Sequence, residues 1–393
     1  MPAKLTRQLP GLLLAAALLP ALATSCSHRE EVAESTTEAA PAETTTVAAA
    51  PVDPACEQVA ALPLRDKLAQ LVMVGVRDAD DARAVVADQH VGGIFIGSWT
   101  DLSMLTDGSL KEIAHTDGVL PLGVSVDEEG GRVARLSSLI GKAPSAKELA
   151  KTRTPEQVRE FAAERGRKMA EMGITVDFAP VVDVVDAGTD DDTVIGDRSF
   201  GSDPAKVTEY AGAYAQGLRD AGLLPVLKHF PGHGHGSGDS HTAGVVVTPP
   251  LTDLQDNDLV PYRTLVTQAP VAVMMGHLKV PGLTDDPTSL SPAAVNLLRT
   301  GIDYRGPTFD GVVFSDDLSS MAAITEHYTV AEAVLRSLKA GVDIALWVTT
   351  DEVPEVLDRL EEAVKSGDLK TEAVEASLAR VAAVKKPGMH CPR

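Results

Sequence analysis

LLPVLKHFPGHGHGSGDSHTAGVVV, residues 223–247, is the stretch from which the fold can be read. Its apolar run, Leu223 to Leu227, is too short for an ordinary helix and ends at Lys228-His229 in a burst of Pro, Gly and His. Gly232, Gly234, Gly236 and Gly238 alternate through the adjoining segment, so that segment cannot hold a stable helix. Four of the chain's ten histidines (His229, His233, His235, His241) fall inside this stretch, with Asp239 two places before the last. A buried strand that feeds a glycine-rich loop loaded with titratable groups reads as a catalytic loop on a rigid scaffold.

Seven similar runs lie outward from it. They are LVMVGV (71–76), GGIFIG (92–97), LPLGVSVD (120–127), GITVDFAPV (173–181), PVAVMMGH (270–277), GVVFSD (311–316) and GVDIALWV (341–348). Between them stand helical patterns such as PEQVREFAAERGRKMAEMG (155–173), PAKVTEYAGAYAQGLRDAG (204–222) and TVAEAVLRSLKAG (329–341), each ending in the glycine expected after a helix. Near-continuous apolar strands alternating with helices indicate a parallel sheet covered on both faces. Eight such units predict an α/β fold, a (β/α)8 barrel in a single catalytic domain. A doubly wound open sheet satisfies the same rhythm and is the alternative.

The barrel reading places functional groups at the C-terminal ends of the strands. Polar residues gather there: Asp127 to Arg132 with Arg135 after the third strand, Asp183 and IGDRSFG (195–201) after the fourth, Lys228-His229 after the fifth, His277 after the sixth, and Asp316-Asp317 after the seventh. An acid at the end of a buried strand can serve as nucleophile, base or metal ligand. One of the Asp316-Asp317 pair can instead cap a helix beginning LSSMAAI, since Asp is a favoured N-cap. Asp239 and His241, two apart in an extended loop, point to the same side. The carboxylate can orient the imidazole and raise its pKa, which makes a workable general acid/base; an incidental loop hydrogen bond is the plainer reading of that pair alone. The spacing of His233, His235 and His241 fits no standard zinc pattern, and GHGHGSG does not lead into a phosphate-binding helix. No metal and no cofactor are assigned.

The 393-residue chain carries 56 acidic against 35 basic residues, a formal charge of −21, which argues against a nucleic-acid partner. Residues 1–25 read as an export signal: Lys4 and Arg7, then an apolar stretch, then small residues before Cys26. The Cys after a small-residue run resembles a bacterial lipobox, with Ala23 where such boxes usually carry Leu, so Cys26 is expected to be lipidated and to tether the protein to a membrane. Residues 26–56 form an Ala/Thr/Glu/Pro-rich tether with nothing to bury, and residues 57–393 the barrel. Cys56 and Cys391 frame the domain; export permits a disulfide between them, and two lone cysteines are hard to read as a metal site.

With these residues laid out, the chain resembles the glycoside hydrolase family 3 β-N-acetylglucosaminidases of the single-domain bacterial lipoprotein type, over essentially all of residues 60–385. DEEGGRVARL (127–136), IGDRSFG (195–201), KHFPGHGHGSGDSH (228–241) and FSDDLSSM (314–321) carry the resemblance. Two departures are visible: His235-Gly236 stands where many members have Asp-Thr, and Glu128 where many have Gln. The resemblance implies that Asp316 is the nucleophile of a retaining mechanism, and that His241 with Asp239 is the acid/base. It further implies that Asp127, Arg135, Arg198, Lys228 and His229 bind the non-reducing sugar. The activity so implied is removal of N-acetylglucosamine from cell-wall fragments by an exported, lipid-anchored monomer whose partner is a small carbohydrate. A β-N-acetylglucosaminide phosphorylase, a broader β-glucosidase, a metal-dependent hydrolase and a surface sugar-binding protein on a degenerate barrel are the other readings.

Overall fold

The computed structural model describes residues 54–115, 118–238, 244, 246–389 and 391. The export signal, Cys26 and nearly all of the expected tether lie outside the described residues, as do Asp239 and His241.

All eight apolar runs form strands of one sheet: β1 (Val72–Val76), β2 (Gly93–Ile96), β3 (Gly123–Val126), β4 (Val176–Asp177), β5 (Leu224–Phe230), β6 (Ala272–Met275), β7 (Val313–Ser315) and β8 (Ala345–Trp347). Every residue in these strands is buried, which is why they read as continuous rather than alternating runs. Neighbours pair in parallel in the order β7-β6-β5-β4-β3-β2-β1-β8. A parallel bridge between Phe314 and Ile344 joins the two ends of that order, and the sheet closes into a (β/α)8 barrel. The open-sheet alternative is thereby excluded.

The helices that wrap the barrel include α1 (Ala79–Gln89), α2 (Pro155–Glu171), α3 (Pro204–Asp220), α4 (Pro292–Thr300), α5 (Val330–Ala340), α6 (Val353–Ser366) and α7 (Thr371–Lys385). Their ends obey local chemistry. Thr154 accepts from the Gln157 amide and Gln157 returns the bond to the Thr154 amide, a reciprocal cap at the start of α2. Gly341 ends α5 at φ 102°, a conformation open to glycine and costly for other residues.

Two expectations need correction. The fourth strand is paired only over Val176–Asp177. Beyond Asp177 the regular ladder gives way to separate contacts with β5: the Val226 amide donates to the Ala179 carbonyl at 2.9 Å, and Val181 bridges to Lys228. The helix expected at LSSMAAI begins only at Ala322. Cys56 and Cys391 form a disulfide with Cα atoms 5.3 Å apart, which ties the helix Pro54–Ala60 to the residues after α7.

Candidate active site

The C-terminal mouth of the barrel is organised around Lys228, near the C-terminal end of β5. Its ammonium sits 2.5 Å from Asp127 Oδ1 and 2.6 Å from Glu129 Oε1. Asp127 directly follows β3. Glu129 is brought back to the mouth by a short hairpin, Glu128–Gly130 against Val133–Ala134. That hairpin needs Gly130: at φ 98° a Cβ there would lie 2.4 Å from the Pro144 carbonyl oxygen. Arg198, from the long loop after β4, grips Glu129 with both arms, Nε to Oε2 at 2.7 Å and Nη2 to Oε1 at 2.8 Å. Burial acts to raise the Glu129 carboxyl, but Arg198 and Lys228 outweigh it and hold it well below the usual carboxylate range. Burial likewise acts to lower Lys228, and the charges of Asp127 and Glu129 more than offset it. The result is a dry, fixed lattice of charges whose outer members reach the solvent, with the Asp127 side chain 22% exposed.

The neighbouring strands add oriented groups. His229 directs Nδ1 at Asp183 Oδ2, 2.7 Å away, and its backbone amide donates to Asp183 Oδ1. Its Nε2 lies 3.5 Å from Arg198 Nη2. Asp183 also accepts the His233 amide at 2.8 Å, so one buried carboxylate fixes both the strand end and the start of the glycine loop. Burial opposes the Asp183 charge, and His229 and His233 hold its carboxyl low nonetheless.

At the end of β7 two adjacent acids do different work. Asp317 accepts the amides of Ser319 and Ser320 at 2.9 and 3.1 Å and both hydroxyls, and so closes the turn that precedes the Ala322 helix. Asp316 faces the mouth. Its Oδ1 accepts the Asp317 amide at 2.9 Å, and its own amide donates to Met275. Burial would push the Asp316 carboxyl up; the charges of His277, His229 and Lys228 and the Asp317 N–H hold it at about 2. It is therefore an anion across the physiological range. His277, after β6, donates Nε2–H to the Asp317 carbonyl at 2.7 Å and meets Ser289 Oγ at 2.6 Å through Nδ1, which braces the turn from below.

Asp127, Arg135, Arg198, Lys228, His229 and Asp316, all marked by the sequence, thus line one pocket of about 340 Å³ together with Glu129, Trp99 and Met321. Arg135 Nε is buried there with no hydrogen-bond partner among the described residues. The glycine loop follows β5 directly. His235 is held by Asp258, Nδ1 to Oδ1 at 2.9 Å, and shapes the loop. Asp239 and His241 lie outside the described residues. Among the described residues no group of three or more His, Cys, Asp or Glu is placed to hold a metal ion.

Four residues of the site were not singled out from the sequence: Glu129, His277 in its bracing role, Trp99, and Asp177 at the end of β4. Asp177 is fully buried and accepts the Glu128 amide at 3.0 Å. Burial, with Glu128 close by, pushes its carboxyl well above the usual carboxylate range. A charged residue inside an apolar run was the available signal for Asp177, and the doubled acid beside Asp127 was the signal for Glu129.

An ionised carboxylate at a strand end, facing a preorganised lattice of donors and acceptors, can attack an electrophilic carbon of a hydroxyl-rich ligand held by that lattice. Comparison with known proteins gives the family. Residues 63–384 match the glycosyl hydrolase family 3 N terminal domain. The beta-hexosaminidase LpqI of Mycobacterium tuberculosis (strain ATCC 25618 / H37Rv) is 64% identical over 390 residues, 98% of this chain and 99% of that protein. The crystal structure of a glycosyl hydrolase of family 3 from Mycobacterium smegmatis str. MC2 155 superimposes with a TM-score of 0.82 at 71% identity, covering 84% of this chain and 99% of that one. A family 3 beta-N-acetylglucosaminidase from Paenibacillus sp. str. FPU-7 does so with a TM-score of 0.74 at 32% identity, over 83% of this chain and 62% of that one. The chain belongs to glycosyl hydrolase family 3.

Proposed function

We propose, with membership of glycosyl hydrolase family 3 as the premise, that this enzyme is a retaining exo-β-N-acetylglucosaminidase that removes non-reducing N-acetylglucosamine from peptidoglycan fragments. The chain is a glycoside hydrolase, and its relatives of the beta-hexosaminidase kind support the N-acetylhexosamine preference. The observation that carries the mechanism is Asp316, ionised at the end of β7 in the same pocket as the Lys228–Asp127–Glu129–Arg198 lattice.

In this reading the lattice holds the hydroxyls of the terminal sugar. Lys228, Arg198 and Arg135 donate, while Asp127 and Glu129 accept. Asp316 attacks the anomeric carbon as the bond to the leaving oxygen breaks, forming a glycosyl-enzyme. His241, as imidazolium oriented by Asp239, protonates the leaving oxygen and then takes a proton from the water that releases the sugar. Most retaining glycosidases assign that second task to a carboxylate. Here the loop that carries the histidine starts at β5 and is pinned by Asp183 and Asp258.

Peptidoglycan as the substrate rests on location. Residues 1–25 read as an export signal and Cys26 as a lipidation site, which would hold the enzyme on the outer face of the membrane, toward the wall. Two measurements test the proposal. The soluble domain is assayed on 4-nitrophenyl β-N-acetylglucosaminide, the matching β-glucoside and the disaccharide of N-acetylglucosamine with N-acetylmuramic acid, and a slow fluorinated substrate is used to trap the intermediate for peptide mapping. Label on Asp316 and preference for the N-acetyl substrates are expected; label elsewhere, or equal turnover of the glucoside, refutes the corresponding part. Acyl mass on the peptide beginning at Cys26 of the full chain checks the anchor.

A further inference from the structure

The pocket is closed and charged at its base and open at a rim where one aromatic ring stands out. The chain has only two tryptophans. Trp347 is fully buried in β8, whereas Trp99 is 45% exposed and lines the pocket that holds Asp316. The groups of the lattice are the reverse: Lys228 is 2% exposed, and Glu129 and His229 are each 6% exposed.

Trp99 is held in place by its surroundings. It sits in the turn after β2, where Thr100 Oγ1 donates to the Val76 carbonyl at 2.6 Å and accepts the Gly97 amide at 3.0 Å. Asp101 N donates to Arg77 O at 2.8 Å, so the two residues that follow the tryptophan tie the turn to the end of β1. The indole lies over two glycines. A Cβ at Gly97 would come within 2.4 Å of Trp99 Cη2, and one at Gly75 within 2.8 Å of Cζ2, so larger residues there would lift the ring. Its edge rests on Phe95, centroids 5.9 Å apart, which itself packs on Phe178 at 5.7 Å, and Phe178 on Phe314 at 5.4 Å. A row of aromatic rings thus runs from the exposed indole down into the barrel core.

We propose that Trp99 is the platform of a leaving-group subsite, on which the pyranose ring on the far side of the scissile bond stacks its apolar C–H face. This rests on the β-N-acetylglucosaminidase reading. An exo-acting enzyme takes the terminal sugar into the buried, charged end of the pocket, so the next sugar stays at the mouth. A rigid, half-exposed indole is the surface there that a pyranose face can cover at little entropic cost. Stacking is blind to the substituents on the ring edge, so N-acetylmuramic acid and N-acetylglucosamine leaving groups should both use it.

The test compares wild type, Trp99→Ala and Trp99→Phe on three substrates: the N-acetylglucosamine disaccharide with N-acetylmuramic acid, N,N′-diacetylchitobiose, and methyl β-N-acetylglucosaminide, whose leaving group has no ring. Trp99→Ala should lower kcat/KM about tenfold on both disaccharides, leave the methyl glycoside within about twofold, and be largely rescued by Phe. An equal loss on all three substrates, or no loss on the disaccharides, would overturn the subsite while leaving the hydrolase reading intact. Wild type inactive on all three would overturn both. Free N-acetylmuramic acid should also change the tryptophan fluorescence of the wild type and leave that of Trp99→Phe, which retains only Trp347, unchanged; identical responses would overturn the stacking contact.

Discussion

The two ends of the barrel have opposite chemistry. The C-terminal mouth encloses about 340 Å³ and is lined by Asp127, Glu129, Arg198, Lys228, His229 and Asp316. The N-terminal end opens on a larger space, about 740 Å³, lined mostly by apolar residues such as Leu122, Leu223, Val271 and Phe314 and closed by the end of α7. Volume alone would point to the wrong end. At the mouth, Lys228, Glu129 and Arg198 match one another's charges, and the fields of several groups converge on Asp316. At the opposite end a half-buried lysine has no carboxylate partner among the described residues: Lys385 donates to the Gly92 carbonyl at 2.5 Å and to Gln70 Oε1 at 3.2 Å, and desolvation of its ammonium lowers it to about 7. Paired charges hold their ionisation in a dry site, and an unpaired one loses its proton more readily. One end therefore has the means for chemistry and the other contributes stability.

The sharpest way to break that contrast is to change the mouth and see stability move instead of rate. Asp316→Asn keeps the shape and removes the negative charge, so kcat should fall by about 10⁴-fold or more with no loss of melting temperature. A variant that unfolds, or one that keeps a tenth of the activity, would contradict the separation. The chain ends should respond in the opposite sense. Replacing Cys56 and Cys391 by Ser opens a link that spans 335 residues, which should lower stability by about 2–4 kcal/mol in urea unfolding and leave kcat/KM nearly unchanged.

Lys385 sharpens the same contrast through pH. Its folded-state value lies near 7, below the ordinary 10.5. Between those values the unfolded chain binds more protons, so the Lys385 contribution to stability rises with pH across that window and its penalty is greatest below it. Relative to Lys385→Met, wild type should gain no more than about 1 kcal/mol per pH unit between pH 7 and 9, and a gain on acidification would refute the assignment. The smallest effect is expected at Asp177. Because burial pushes its carboxyl up and so disfavours the charge, Asp177→Asn should leave kcat within about threefold, far from the loss expected for Asp316→Asn. A large loss at Asp177→Asn would mean that its charge is used.

Much of this was legible from the chain. Lys228-His229 stands at the end of an apolar run, and Asp316 at the end of another, and the barrel rule turns those positions into a shared mouth. The separate uses of Asp316 and Asp317 are legible too, although Asp317 closes a turn with Ser319 and Ser320 rather than starting the helix, which waits until Ala322. Glu129 escapes a reading of the sequence because its partners, Lys228 and Arg198, lie about 99 and 69 residues away and no local pattern announces them. Trp99 escapes for a related reason. A tryptophan beside an apolar run reads as core, and only the turn pinned by Thr100, above two glycines, leaves it half in solvent.

What the sequence determined by itself was periodic and local: eight continuous apolar runs, the helices with their caps, and acids and bases gathered where each run stops. Those signals survive without the fold because the pattern of burial is written residue by residue. Tertiary structure decided the rest. Which acid pairs with Lys228, which carboxyl is held low and which is pushed up, and which of two tryptophans stands half in solvent all depend on dielectric and neighbours, and these exist only after β3, β4, β5 and β7 have closed around one axis.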